Sequence, residues 1–194
     1  MISVITVTYN NYYDLHRTLA SLENVEGIEN VVINGGDCEK TKKLLHDFEG
    51  IAISEPDRGI SDAFNKGVAA STGENVMFLN SGDVLLSPEY LQEAESVMRF
   101  NPEISFVHSD LLYDDRISGD IRLTALQSFF FRAPPLGRGM PYHHQTMIVR
   151  KNVFDKTGIF NLRYKISMDF DWVCRLHKHR LVGFYWNKDP VVKM

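Results

Sequence analysis

The sequence predicts an α/β protein with a Rossmann-like, mostly parallel sheet, helices on both faces, and a smaller β region. Strand and helix signals alternate through the first half of the chain, and polar residues cluster where the predicted strands end. The 194 residues have ordinary globular composition and the size of one domain. Alternation of this kind is typical of parallel sheets, because a crossover helix usually connects parallel strands.

The first strand–helix unit is predicted at the N-terminus. A β-branched run from Ile2 to Thr8 indicates a strand, and residues 9–11 (Tyr-Asn-Asn) indicate the turn that follows it. Leu15, Leu19 and Leu22 then recur at i, i+4 and i+7, which places them on one helical face.

Further units of the same kind follow along the chain. Strands are predicted at 30–33, 51–54, 76–79 and 104–108. Three helices are predicted from apolar residues at helical spacing: the first through Leu44, Leu45 and Phe48, the second through Ile60, Ala63, Phe64 and Val68, and the third through Leu91, Ala94 and Met98. The second half is less regular. Strands are expected at 111–120, 121–126 and 145–149, a long loop at 127–144, and a helix at 169–177.

Polar residues follow the first four predicted strands. They are Tyr9 and Asn10, Asn34, Asp57, and Asp83. Ligands of open α/β sheets bind beyond the carboxyl ends of the strands, so these residues mark the expected site.

Composition excludes several other classes. Lys and Arg number 21 against 25 Asp and Glu, and the net charge of −4 argues against nucleic-acid binding and against a polybasic membrane patch. Two cysteines, Cys38 and Cys174, cannot form a disulfide framework and favour a reducing compartment. No signal peptide and no stretch of roughly 18 apolar residues is found. We therefore expect a cytoplasmic protein that could still dock on a membrane.

Familiar catalytic motifs are missing from the sequence. It contains no G-x-G-x-x-G after the first strand, no P-loop, no H-E-x-x-H, no C-x-x-C and no G-x-S-x-G. Without a glycine-rich loop, a bound phosphate would need another source of positive charge. A divalent ion held by Asp83 is one such source.

Five segments carry a family resemblance. EPDRGISDAFNKG, the STGE turn and FLNSGD lie within residues 55–83, SVITVTYN precedes them, and HHQTMIVRKNVFDKTGIFNLRYKISMDFDWVCRL follows. In order and spacing the sequence resembles the GT-A glycosyltransferases of family 2, especially those of bacterial surface-polysaccharide clusters. The resemblance covers nearly the whole chain. It implies the GT-A fold, with a nucleotide-sugar-binding half (residues 1–108) and an acceptor-side half (109–194) of one domain.

The resemblance implies that a nucleoside diphosphate sugar is the donor. The implied donor-binding residues are Thr8, Tyr9 and Asn10 at the base and ribose, Asn34 near the base edge, Asp57 and Arg58 close to the nucleotide, Asp62 and Lys66 on the diphosphate side, and Asn80 in the FLNSGD segment. The two basic side chains suit anionic oxygens.

The resemblance also implies a metal ligand and a catalytic base. FLNSGD corresponds to the family's metal motif, in which Asp83 keeps the carboxylate while Asn80 and Gly82 replace other acids. Asp83 would bind Mn²⁺ or Mg²⁺, with the diphosphate and water as further ligands. Asp169 falls on the position of the base that deprotonates the acceptor hydroxyl, and Met168 stands where many relatives have Glu.

Each of these roles has a structural alternative. Asp83 could cap a turn, and Asp169 could be the N-cap of the last helix. Asp62 and Lys66, four residues apart on a helix, could form a surface ion pair.

Two further segments are ambiguous. His143 and His144 resemble a metal pair, but adjacent residues of a strand face opposite ways, so His144-Gln145 is interpreted as lining the acceptor or sugar pocket. Residues 129–132 (Phe-Phe-Phe-Arg) could contact a lipid-linked acceptor or a membrane surface. Core packing beneath a loop is the alternative.

Two functions are compatible with the sequence, and a third is disfavoured. The leading one is an inverting glycosyltransferase of surface-polysaccharide biosynthesis, which moves a sugar to a glycan or lipid-linked acceptor. A non-catalytic sugar-nucleotide-binding subunit is the alternative, because acids are missing at Asn80, Gly82 and Met168 and relatives commonly continue past Met194. A nucleotidyltransferase would carry a Gly-rich basic loop after the first strand, which TVTYNNYYDLHR lacks. The sequence does not indicate an oligomeric state.

Overall fold

The computed structural model describes residues 1–115, 118–124, 140–186 and 188–194. The strands are β1 (Ile2–Thr8), β2 (Ile28–Asn34), β3 (Ile51–Ser54), β4 (Asn75–Phe78), β5 (Val84–Leu85), β6 (Ile104–His108), β7 (Leu111–Asp115), β8 (Asp120–Thr124), β9 (Ile148–Arg150), β10 (Val182–Tyr185) and β11 (Val192–Lys193). The helices are α1 (Tyr12–Ala20), α2 (Glu39–His46), α3 (Ile60–Ala70), α4 (Glu89–Phe100), α5 (Val153–Thr157) and α6 (Met168–Lys178), and a 3₁₀ helix, His144–Thr146, precedes β9.

Seven strands form the central sheet, in the order β10-β6-β9-β4-β1-β2-β3. The four neighbours β3, β2, β1 and β4 are parallel to one another, and β6 is parallel to β10. β9 lies antiparallel between β4 and β6. The sheet is therefore mostly parallel, which confirms the predicted α/β class.

Alternating side chains of the strands divide the core between the two faces of the sheet. Ile5 of β1 belongs to a buried cluster with Phe64 of α3 and Trp172 of α6. Val4, its neighbour in the chain, belongs to a second cluster with Leu91 of α4. Helices thus cover both faces, as the sequence predicts.

Four short strands form a second sheet, in the order β5-β11-β7-β8. β5 begins directly after Asp83 and pairs with β11 near the end of the chain. The amide of Leu86 also donates to the carbonyl of Val191 at 2.8 Å. This sheet therefore anchors the segment that follows β4 and connects it to the second half of the chain.

The structure departs from the sequence expectation in its short elements. The strand expected over 145–149 begins only at Ile148, because a 3₁₀ turn occupies its first positions. The Thr146 hydroxyl, 2.8 Å from the carbonyl oxygen of Ser109, stabilises that turn and competes with strand pairing. β5, α5, β10 and β11 are too short to leave a periodic pattern in the sequence.

Two sequence expectations concern residues that the structure does not describe. Residues 127–139 of the expected loop (127–144) lie outside the described residues, and these include the aromatic segment 129–132. Within the described ranges, no helix has both the length and the hydropathy needed to cross a bilayer.

Gly67 sets the distance between α3 and the sheet. A Cβ atom at this position would lie only 2.3 Å from Cγ2 of Ile5 in β1. Gly67 therefore allows a close approach that places the N-terminus of α3 beside the carboxyl ends of the strands.

We expect Gly67→Ala to lower the free energy of unfolding by roughly 1–2 kcal/mol. Overpacking against Ile5 should outweigh the gain of about 1 kcal/mol in helix propensity. Urea titration measures the effect. Ala69→Ser, on the exposed side of the same helix, is the control and should change stability by less than about 0.5 kcal/mol. A more stable Gly67→Ala protein would contradict the packing argument.

Candidate functional site

The parallel strands bring their carboxyl ends to one edge of the sheet. In the register of the strands, Thr8 of β1 lies beside Asn34 of β2, which lies beside Ser54 of β3. The segments after these strands and after β4 therefore meet along this edge. It is the place where the sequence predicts a ligand.

Asn10 connects the first two of these segments. Its backbone is left-handed (φ 53°), and its Oδ1 accepts hydrogen bonds from the amides of Asp37 (2.9 Å) and Cys38 (3.0 Å). A Cβ at Gly36 would lie 2.3 Å from that same oxygen, so the close contact requires glycine. Asn10 thus fixes the position of the loop after β2.

Asn34 is completely buried beneath this loop. Its Nδ2 donates to the carbonyl of Gly36 (3.1 Å) and to Oγ of Ser54 (2.8 Å), while its Oδ1 accepts the amide of Gly36 (3.1 Å). The sequence places Asn34 near the nucleotide base. In the structure its side chain shapes the loop that borders the edge, and its polar atoms are used within the protein.

Thr8, the last residue of β1, and Tyr9, which follows it, differ in exposure. Thr8 is buried, and its Oγ1 lies 3.4 Å from Oγ of Ser81 in the segment after β4. Tyr9 is 70% exposed, so its ring is available to a planar ligand group.

Asp57 lies on the same edge, against the loop after β2. A Cβ at Gly35 would come within 1.7 Å of Oδ2 of Asp57, so the two are in close contact. Oδ1 of Asp57 accepts the amide of Gly59 at 2.8 Å. Gly59, with φ 112°, makes the turn into α3. Asp57 therefore joins the β2 loop to the start of that helix.

Charged side chains at the start of α3 form a paired cluster. Asp62 accepts hydrogen bonds from the guanidinium (2.9 Å) and the backbone amide (3.1 Å) of Arg58, and Lys66 Nζ lies 3.8 Å from it. The Arg58 hydrogen bond holds the pKa of Asp62 below its usual value, although burial opposes this. Lys66 also bonds Glu55 at 2.8 Å. The ion pair that the sequence offers as an alternative is present, and Arg58 stays largely exposed.

Asn80 and Asp83 close a tight turn after β4. Oδ2 of Asp83 accepts the Asn80 amide at 2.9 Å, and the Asp83 amide donates back to the Asn80 carbonyl at 2.9 Å. Gly82 (φ 110°) permits the turn, and α1 holds it: the Gly82 amide donates to Oγ1 of Thr18 at 2.9 Å, and Arg17 donates to the Gly82 carbonyl. Asp83 therefore does cap a turn. This structural role is compatible with the predicted role as a metal ligand.

Burial raises the pKa of Asp83 to about 6, although the Asn80 amide and the nearby His144 oppose the shift. Among the described residues, its Oδ1 accepts no hydrogen bond. Oδ1 of Asn80 is also buried without a partner. Among the described residues, the turn thus presents two oxygens that accept no hydrogen bond, one on Asn80 and one on the largely buried carboxylate of Asp83.

These oxygens fit a metal ion held by one protein carboxylate, with most of its ligands supplied by a bound diphosphate and water. They do not form a complete protein site. Within the described ranges, no group of three or more His, Cys, Asp or Glu residues could hold an ion.

Asp169 lies in the first turn of α6, one residue after the helix begins at Met168. The N-cap is Ser167 (φ 58°), so Asp169 does not cap the helix. Oδ1 of Asp169 accepts the Phe170 amide (2.9 Å), and Oδ2 lies 3.0 Å from Nδ1 of His144. Burial raises the pKa of Asp169, but these hydrogen bonds outweigh it and the net pKa lies below the usual value.

The carboxylate of Asp169 is accessible. It borders an open depression of about 300 Å³, which is also lined by Met140, Ser167 and Phe170. Asp171 instead pairs with Arg175 at 2.8 Å along the same helix. Of these two acids, Asp169 is the one that lines the depression.

His144 connects Asp169 to the turn after β4. Its Nε2 lies 3.2 Å from Nδ2 of Asn80, on the opposite side of the ring from Asp169. The sequence places His144-Gln145 in the pocket lining but gives no sign of this contact. Gln145 faces elsewhere and donates to Sδ of Met194 at 2.8 Å. His143 also points away, toward the carbonyl of Thr124 (2.9 Å).

A larger surface depression lies away from this edge. It is a groove of about 970 Å³ between α1 and α2, and Tyr12, Tyr13, Lys40 and Phe48 are among its lining residues. None of the predicted site residues lines it. The candidate site therefore rests on the strand ends and their chemistry, and not on cavity size.

Comparison with known proteins identifies related sequences. The profile of the family described as glycosyl transferase family 2 matches residues 3–162. An uncharacterized glycosyltransferase of Mycobacterium tuberculosis is 30% identical over 90% of this chain and 68% of its own length. A PGL/p-HBAD biosynthesis glycosyltransferase of Mycobacterium bovis is 27% identical over 90% of this chain and 69% of its own.

Solved structures share the fold at low sequence identity. TarS of S. aureus in complex with UDP superposes with a TM-score of 0.76 at 15% identity, over 100% of this chain and 60% of the TarS chain. The mannosyltransferase PcManGT of Pyrobaculum calidifontis, in complex with GDP-Man and Mn²⁺, gives 0.75 at 16% identity, over 100% of this chain and 56% of its own. The chain thus spans less than two thirds of these structures, and they support the GT-A fold.

We expect Asp83→Asn to stabilise the folded protein at neutral pH. The raised pKa of about 6 means that the ionised carboxylate costs free energy in the folded state. An Asn oxygen can accept the Asn80 amide without that charge. The gain should be roughly 1–3 kcal/mol at about pH 8, and it should fade between about pH 6 and pH 4 as the wild-type carboxyl becomes protonated in the fold.

Urea titrations at several pH values measure this gain. Asp155→Asn, which removes an exposed carboxylate, is the control and should show little effect at any pH. A loss of stability in Asp83→Asn at about pH 8, or a gain that does not depend on pH, would mean that Asp83 is not strained by burial.

Proposed function

This chain belongs to glycosyl transferase family 2, and from that premise we propose that it is an inverting transferase. It would move a hexose or aminohexose from a nucleoside diphosphate to a glycan or lipid-linked acceptor in surface-polysaccharide biosynthesis. One observation supports this most strongly. Asn80, which forms a turn with Asp83 after β4, and Asp169, in α6, lie on either side of His144, so a turn suited to the donor and a carboxylate suited to act as a base lie close together.

The donor is proposed to lie along the carboxyl edge of β1, β2, β3 and β4. Tyr9 would stack on the base, with Thr8 and Asn10 at the ribose, and Asn34 would act through the loop it holds. This assigns donor binding mainly to residues 1–108 and acceptor binding to residues 109–194.

The diphosphate is proposed to face the start of α3. Arg58 and Lys66 carry the positive charge there, with Asp57 and Asp62 holding the turn and the cluster in place. Asn80 would use its unpaired Oδ1 to accept a donor hydroxyl.

Asp83 would hold Mn²⁺ or Mg²⁺ together with the diphosphate. The ion would supply positive charge that stabilises the leaving nucleoside diphosphate. The buried carboxylate suits this role, because a cation compensates the solvation that burial removes from it.

Asp169 would act as the general base. Its low pKa keeps the carboxylate ionised at neutral pH, and each oxygen retains a lone pair beyond its present hydrogen bond. One oxygen would take the proton of the acceptor hydroxyl as that hydroxyl attacks the anomeric carbon in line with the leaving group. A single displacement of this kind inverts the configuration at that carbon.

The comparisons support the substrate classes only in general terms. Solved relatives are complexes with UDP, UDP-GlcNAc and GDP-Man, and a curated relative is named for PGL/p-HBAD biosynthesis. We propose a donor of this nucleoside diphosphate class and a cytoplasmic location that allows peripheral contact with a membrane-bound acceptor.

We expect Asp169→Asn to reduce sugar transfer by about 100-fold or more while donor binding stays nearly unchanged, because the base acts on the acceptor. Transfer is measured with a panel of uridine, guanosine and thymidine diphosphate sugars. Calorimetry of the same donors with and without Mn²⁺ measures binding. Asp171→Asn, two residues away and paired with Arg175, is the matched control and should stay within a few-fold of the wild type.

Two results would count against this function. Transfer that survives in Asp169→Asn would remove Asp169 as the base. A wild-type protein that binds a donor but never transfers its sugar to any acceptor would favour the alternative, a non-catalytic sugar-nucleotide-binding subunit.

A further inference from the structure

His144 makes a hydrogen-bonded contact on each side of its ring. Nδ1 lies 3.0 Å from Oδ2 of Asp169, and Nε2 lies 3.2 Å from Nδ2 of Asn80. The side chains of His144 and Asp169 are 23% and 24% exposed, so both are largely, but not completely, removed from solvent. The ring therefore connects the turn after β4 to the carboxylate of α6.

When the His144 ring is neutral, its two contacts fit one arrangement of protons. An ionised Asp169 can only accept, so Nδ1 of His144 must carry the hydrogen. In the neutral ring Nε2 is then an acceptor, and the amide of Asn80 must present its NH₂ group to it. That orientation leaves Oδ1 of Asn80 turned away, which agrees with its lack of a partner.

Neighbouring aromatic side chains and the local backbone restrict the position of the His144 ring. Its centroid lies 6.2 Å from that of Phe64, which stacks on Phe78 at 4.4 Å in the core. The backbone is fixed by the 3₁₀ helix, where the Thr146 amide donates to the carbonyl of His143 at 2.9 Å. A ring supported in this way can orient a neighbouring carboxylate.

We propose that His144 is the positioning residue of Asp169: it fixes the orientation of the base and ties it to the donor turn through Asn80. The inference rests on the proposed function, in which Asp169 removes the acceptor proton. His144 itself does not take that proton, because its Nε2 is directed to Asn80. A misplaced base can cost about 100-fold in rate, so this contact should appear in kcat and not in donor affinity.

Two substitutions separate the two contacts of the ring. The amide nitrogen of Asn matches Nδ1 in its distance from the backbone, so His144→Asn keeps a donor for Asp169 and loses Asn80. The polar end of Gln matches Nε2, so His144→Gln keeps Asn80 and loses the donor to Asp169. We expect kcat to fall about 10–100-fold in His144→Gln and less than about 10-fold in His144→Asn, with donor affinity nearly unchanged in both.

His143→Gln is the matched control for these variants. Within the described residues, the side chain of His143 has one hydrogen bond, to the Thr124 carbonyl, and Gln can preserve that contact. It should stay within about two-fold of the wild type. In an Asp169→Asn background, His144→Gln should cause little further loss, since the group that it positions is already absent. Equal losses in the two His144 variants, or additive losses with Asp169→Asn, would overturn the proposal.

A second measurement does not require any transferase activity. Nitrogen-15 NMR of labelled histidine reports which ring nitrogen carries a proton, and the His144 signal is identified by its loss in His144→Asn. We expect a protonated Nδ1 in the wild type and a change of that signal in Asp169→Asn. A neutral ring protonated at Nε2, unaffected by Asp169→Asn, would overturn the positioning role. If NMR gives the expected result while no donor is ever transferred, the failure lies with the proposed function and not with the contact.

Discussion

The parallel register of β1, β2, β3 and β4 is the constraint on which the candidate site depends. Because Thr8, Asn34 and Ser54 lie side by side, four segments distant in sequence start from the same edge of the sheet. Neighbouring segments then contact one another. Asn10 binds the loop after β2, and Asp57 lies against the same loop. Preorganisation of this kind would allow a donor to bind without ordering the edge first.

Charge at this edge is distributed unequally. Around α3, Asp62 is neutralised by Arg58 and Lys66, so its ionised form is stabilised in the fold. Among the described residues no Arg or Lys pairs with Asp83, and burial makes its ionised form costly, with a pKa of about 6. A buried carboxylate that lacks a counter-charge is unfavourable for stability and suited to a cationic ligand. The structure thus places the stability cost at the position where family resemblance implies a metal.

The sequence predicts most of the fold, because its long elements carry clear periodicity and its strand ends carry polar residues. The role of Asn34 could not be predicted in this way. A polar residue at the end of a strand can bind a ligand, or it can hydrogen-bond the backbone two residues further along its own loop, and the sequence pattern is the same in both cases. The Asn-Gly-Gly sequence that follows β2 is a turn signal that could have indicated the second role. His144 and Asp169 are a different case, since their contact joins segments 25 residues apart and follows no local spacing.

Hydrogen–deuterium exchange on adding UDP or GDP with Mn²⁺ tests most directly whether the strand edge is the donor site. The account predicts slower exchange of backbone amides at 9–11, 35–38 and 80–84, with little change in the larger groove between α1 and α2. Asp83→Asn should reduce the protection at 80–84, since the ion would lose its protein carboxylate. Protection confined to the α1–α2 groove, or no protection at the strand edge with either nucleotide, would contradict it.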